Sequence, residues 1–84
     1  MTICEFQDRA PDSAVLTDYD HNHADDYLRL LDAANEGADW HEVVRIIFSV
    51  DPAQEPDRAR IIYDSHLARA RWMTQFGYHH LLKV

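Results

Sequence analysis

From Pro56 to Gly77 nothing interrupts a helix: the chain between them holds no glycine and no further proline. Proline is favoured in the first turn, where its missing N–H costs nothing. The pattern therefore predicts one helix over 56–76, roughly 20 residues, starting at Glu55-Pro56-Asp57. Two shorter segments precede it. Ala24, Tyr27, Leu28, Leu31 and Ala34 recur at helical spacing and form one apolar stripe. Asp20 or Asn22 can cap that helix, Asp25 and Asp26 suit its positive end, and Asn35-Glu36-Gly37 closes it. Asp39 with Glu42 three residues later has the form of a capping box. Trp40, Val43, Val44 and Ile47 then face inward, and Asp51-Pro52 stops the helix near Val50. Helices are thus expected near 22–35, 40–49 and 56–76. Residues 1–20 read as an irregular arm, residues 21–84 as the folded domain, and Tyr78–Leu82 as a short closing turn. The expected fold class is all-α.

At 84 residues the chain has room for one domain with one modest core. Fifteen acidic side chains against eight basic give a net charge of −7, a surface that DNA repels unless the few cations cluster. Cys4 is the only cysteine, so neither an internal disulfide nor a Cys-rich zinc site is expected. The N-terminal residues lack a basic segment followed by an apolar one, and no apolar run approaches the roughly 20 residues of a membrane span. The expectation is a cytoplasmic protein.

The long helix carries two apolar faces. With Ile61 at zero and about 100° per residue, Tyr63, Leu67, Ala70 and Met73 fall opposite it, flanked by Ala59, His66 and Thr74. That is an ordinary core stripe. Ser65, Ala68, Trp72 and Phe76 fall within about 60° of Ile61, with Ile62 to one side. A domain this small buries only one face of its last helix. The arm, a second copy or a foreign partner could cover the other. An apolar patch that contains tryptophan points to an interaction site, so Ile61, Ile62, Ser65, Ala68, Trp72 and Phe76 are the candidate partner-binding residues.

Other chemistry is weaker. Six histidines raise the question of metal, but His21 and His23 sit two apart at a helix start, where side chains diverge. His66 reads as a hydrogen-bonded core histidine, His79 and His80 as a helix-end pair, and Trp40 as core. Arg58, Arg60, Arg69 and Arg71 read as a solvated face with salt bridges to Asp57 and Asp64. No nucleophile has an orienting base, and two glycines make no phosphate loop. No enzyme activity, cofactor or metal is expected.

Leu30-Leu31-Asp32-Ala33, Gly37-Ala38-Asp39-Trp40-His41-Glu42-Val43-Val44, and Leu67-Ala68-Arg69-Ala70-Arg71 through Gly77-Tyr78-His79-His80-Leu81-Leu82 together resemble a known family. It is a helix-turn-helix variant domain found in proteobacterial regulators of integrative and conjugative elements. The resemblance covers about residues 27–82 and implies a three-helix helix-turn-helix variant. Stand-alone acidic members of this size resemble the QseM-like antiactivators. That likeness implies a protein that binds the quorum-sensing TraR-type activator and the excision-activating FseA-type activator, which carries a related domain. Binding would repress excision and conjugative transfer. DNA-binding relatives tend to carry arginines on the outer face of the last helix, where Ile61, Ile62, Ala68 and Trp72 stand here. The expectation is therefore contact with protein activators, no specific nucleic acid, and a monomer or weak dimer. The alternatives are a DNA-binding regulator of the same fold and a small subunit that completes a split activator.

Overall fold

The computed structural model describes residues 6–77, and among them every regular element is helical. Irregular chain from Phe6 leads into α1 (Asp18–Asn22), followed by α2 (Ala24–Asn35), α3 (Trp40–Phe48) and α4 (Pro56–Trp72). A π-helical turn, Met73–Gly77, ends the described chain. The all-α, helix-turn-helix-type expectation holds. Cys4, the Tyr78–Leu82 turn and the His79–His80 pair lie outside the described residues.

The first helix starts earlier than expected because Thr17, not Asp20 or Asn22, caps it. The Thr17 hydroxyl accepts from the Asp20 N–H, and the Asp20 carboxylate accepts from the Thr17 N–H, a reciprocal capping box. The chain breaks at His23 and restarts as α2, the helix expected near 22–35; α1 is an additional helix, and residues 18–20 of it fall in the arm that was expected to be irregular. Gly37 at φ +74° closes α2 in the left-handed region, with the Ala38 N–H returning to the Ala33 carbonyl. Asp39 caps α3 as expected, accepting from the His41 N–H. The His41 ring, rather than Glu42, completes that contact. Ser49 ends α3 at φ 59°, in the left-handed region.

α4 packs on both α2 and α3. The core joins Leu30, Val43, Val44, Phe48, Val50, Ala59, Ile62, Tyr63 and Leu67. Leu30 is fully buried, while Leu28, expected in the stripe of α2, is 59% exposed. The face of α2 turned to α4 is centred near Tyr27, Leu30 and Ala34, and Leu28 lies about 100° around from Tyr27. Trp40 is half-buried, packed against the edge of the core. No helix among the described residues is long and apolar enough to cross a membrane.

Candidate functional site

The two faces of α4 separate as the helical wheel requires, with two displacements, at Ile62 and Met73. Ala59, Tyr63, His66, Leu67 and Ala70 are buried as expected. Ile62, expected beside the exposed stripe, is 1% exposed and belongs to the core. It lies about 100° from Ile61 and about 60° from the midline of the buried residues once Arg69, also buried, is counted among them. Met73, expected in the core, is half-buried at a small hollow of about 160 Å³ between α2 and α4, beside Tyr27, Leu31 and Ala70.

The arm lies along one edge of the second stripe. The Ala10 N–H donates to the Ser65 hydroxyl at 3.1 Å, and that hydroxyl approaches the Asp8 carbonyl at 3.4 Å. Arg58 donates to the Asp8 carboxylate at 2.9 Å, and Arg69 to the carbonyls of Ser13 (2.7 Å) and Val15 (2.9 Å). Phe6 seats its ring among His23, Phe48 and His66. Arg58, Ser65 and Arg69 all fall about 40–80° from Ile61 on the wheel. The arm thus takes Ser65 and leaves a narrower strip. Ala68 is exposed, and Ile61 and Trp72 are half-exposed. The side chain of Phe76 lies outside the described ones.

Asp20 and Arg69 hold the arm, α1 and α4 together. Arg69 is a buried cation, not part of a solvated face. It donates to Asp20 through Nε (3.0 Å) and Nη2 (2.6 Å), a bidentate pair at 5% and 0% exposure. Burial pushes the Asp20 carboxyl up. Hydrogen bonds from Arg69, the Thr17 backbone and Tyr27 outweigh it and hold the carboxyl below the usual range. Burial, then the bond to Asp20, raises the Tyr27 hydroxyl far above its ordinary value. The guanidinium of Arg69 also lies 3.9 Å from the Trp72 ring centroid.

His66 is the buried core histidine that the sequence predicts. Its Nδ1 sits 2.7 Å from the Ile62 carbonyl, so Nδ1 donates, and Nε2 accepts from the Tyr19 hydroxyl at 2.6 Å. The Tyr19 oxygen in turn accepts from the Gln7 N–H. Burial, reinforced by the nearby His23, pushes the His66 imidazole below its ordinary value against the Ile62 bond. His21 is exposed, while His23 is buried under Phe6 and Tyr19. Among the described residues no three His, Cys, Asp or Glu side chains are grouped to hold a metal.

The remaining arginines are largely spoken for within the chain. Arg58 pairs with Asp8 and Glu55, not Asp57, and Arg60 pairs with Asp64. Arg60 also lies over Trp40, which stacks on His41. Arg71 is exposed and has no ion pair among the described residues. The sequence reading missed Ile46, 76% exposed on α3. The signal was available: Ile46 lies about 130° from the midline of Val43, Val44, Ile47 and Phe48 on the wheel.

A family model described as T6SS transcription factor, DNA-binding domain (RovC DNA-binding domain) matches residues 2–83. No curated protein matches the chain.

Proposed function

We propose, from the premise that the chain belongs to this family of transcription-factor DNA-binding domains, that it regulates transcription by binding activator proteins instead of reading DNA itself. The observation that carries the reading is the state of the arginines on α4. Three of the four, Arg58, Arg60 and Arg69, are neutralised by carboxylates of the same chain. The whole chain carries −7. A phosphate contact would have to break an internal pair and then work against an acidic field.

Ile61, Ala68 and Trp72 form the contact strip, with Trp72 as the anchor. Aromatic residues tend to dominate interface energy. The partners are activators of the TraR and FseA types, as the resemblance of the sequence implies, and binding them represses excision and conjugative transfer. Titration of the purified chain against each activator tests this. Trp72→Ala should weaken binding about 30-fold, from a loss of about 2 kcal/mol. Tight binding to neither activator would end this reading.

The family match favours a second reading, direct DNA binding, with Arg71 as the described α4 cation left for a phosphate. A gel shift decides between them. The first reading expects no sequence-specific complex at physiological salt. Nanomolar affinity for a duplex by this chain alone would establish the second.

A further inference from the structure

The imidazole of His66 is fully buried, and the end of the arm is part of what buries it. Around it stand the rings of Phe6 on the arm, Tyr19 on α1, Tyr27 on α2 and Phe48 on α3. Of these four, Phe6 and Tyr19 reach the surface. Tyr19 is fixed in α1 by the Thr17 capping box, whereas Phe6 stands on irregular chain. Residues 6–10 have few other holds. The Gln7 N–H donates to the Tyr19 hydroxyl, and the Ala10 N–H to Ser65. The Asp8–Arg58 pair is exposed on both sides, which makes it worth little. From Ser13 onward the arm is secured separately, by Arg69.

We propose that residues 6–10 are a latch on α4, and that His66 opens it on gaining a proton. Both ring nitrogens are committed. Nδ1 donates to the Ile62 carbonyl, so the proton must enter at Nε2, where the neutral ring accepts from Tyr19. Protonation reverses that bond and forces the hydroxyl hydrogen of Tyr19 to another acceptor. It also places a charge where the facing carboxylates are engaged elsewhere. Asp20 on α1 is held by Arg69, Tyr27 and the Thr17 backbone, and Asp26 on α2 by the neighbouring His23. The arm brings the Phe6 ring and the Gln7 amide, and α3 the Phe48 ring. On α4 itself the neighbours are neutral Ser65 and Arg69, the latter paired with Asp20. A buried imidazolium so placed is costly until water reaches it. Lifting Phe6 admits that water without opening the packing of α2, α3 and α4. Burial already holds the imidazole below its ordinary value. With the latch open the ring titrates near about 6.5. The closed form is therefore favoured above that pH and lost as pH falls below it. Opening frees Ser65 and Arg58 and widens the exposed face of α4 beside Ile61, whatever binds there.

The test follows the amides and imidazoles of the full chain, labelled with nitrogen-15 and carbon-13, from about pH 7.5 to about pH 5, above the carboxylate range. The Gln7 and Ala10 amides should lose at least about tenfold in exchange protection, with the same midpoint as the His66 ring signal. The amide of Val44, in the core of α3, should keep its protection across that range. His66→Gln, uncharged at every pH, should hold Gln7 and Ala10 in one state throughout. His23→Gln is the control for the second histidine under Phe6 and should leave the response in place. If either variant does not fold, the parent's own curves decide, because the latch requires Gln7, Ala10 and the His66 ring to share one midpoint. Separate midpoints would overturn the proposal, as would a response that survives in folded His66→Gln or disappears in folded His23→Gln. Loss of protection at Val44 together with Gln7 would overturn it too, since acid would then be unfolding the whole domain instead of lifting the arm.

Discussion

Two regions of this small domain reverse the usual sorting of side chains. Where the arm, α1 and α4 meet, the chain buries Asp20, His23, His66 and Arg69. At the α2–α3 edge it leaves Ile46 in solvent. The difference lies in partners. Every buried side-chain nitrogen and oxygen among the described residues has a hydrogen-bond partner, so the polar cluster escapes the penalty of unsatisfied burial. Ile46 has no internal surface to meet. Burial here follows from what the neighbouring elements can satisfy, and the polar cluster fixes where the arm goes.

The largest effect should come from opening that cluster. Asp20→Ala leaves Arg69 buried without its carboxylate and removes acceptors from Tyr27 and the Thr17 N–H. Breaking a buried ion pair from one side costs about 3–5 kcal/mol, enough to unfold much of a marginal domain. Chemical denaturation should place Asp20→Ala far below the parent. The double replacement Asp20→Leu with Arg69→Met sharpens the comparison. It removes both charges, so it should recover part of the loss while releasing the Ser13 and Val15 carbonyls of the arm from Arg69 on α4. If Asp20→Ala costs less than about 1 kcal/mol, the polar cluster is not what anchors the arm.

The same cluster should make stability fall with acid in two stages. His66 has its imidazole depressed in the folded state, so the unfolded chain binds its proton first. That contribution is complete above the unfolded value of about 6.5 and is lost as pH falls below it. Asp20 is also depressed. Its contribution is complete above the ordinary carboxylate value of about 4 and declines as pH falls further. Melting temperatures taken from pH 8 to pH 3 should show both declines. In His66→Asn the first should vanish although the protein is weaker throughout.

How much of this was legible in the sequence depends on whether the cause was local. The ends of α2 and α3, set by Gly37 and Asp39, and the start of α4 at Pro56 follow from residues a few positions apart. The buried run Ala59, Tyr63, His66, Leu67 and Ala70 follows from the wheel. The ion pair of Asp20 with Arg69 joins residues 49 apart, and no periodicity announces it. Without it, Arg69 reads as one more solvated arginine and Asp20 as a cap. Ile62 stands between the two faces of α4 on the wheel, and the packing of its neighbours, not periodicity, takes it into the core. Ile46 is legible from the same geometry, since it lies about 130° from the inward midline of α3.

A smaller effect separates the two residues at the end of α4. Trp72 and Met73 are both half-buried, so neither should behave as a full core truncation. Met73→Ala would enlarge the hollow beside Tyr27, Leu31 and Ala70 and should cost about 1–2 kcal/mol, below the usual range for a buried methionine. Trp72→Ala loses the contact with the Arg69 guanidinium, worth about 0.5–2 kcal/mol. The two melting curves should therefore lie close together, and a binding assay should part them, with activators released by Trp72→Ala and retained by Met73→Ala. A collapse of Trp72→Ala alone would show that the strip is a covered part of the core.

The smallest effect on stability belongs to Ile46→Ser, and its smallness is the point. At 76% exposure the isoleucine has little apolar surface left to lose from water on substitution. Serine and isoleucine have similar intrinsic helix propensities, so the backbone of α3 gains and loses little. The change in unfolding free energy should stay within about 0.5 kcal/mol. Leu28→Ser is the internal control. Leu28 is also more than half exposed but lines the hollow between α2 and α4 with Tyr27 and Met73, so it should cost measurably more than Ile46→Ser. A loss in Ile46→Ser as large as that in Leu28→Ser would mean that this edge of α3 packs against part of its own chain. The contrast between a satisfied polar interior and an unsatisfied apolar edge would then fail at the apolar end.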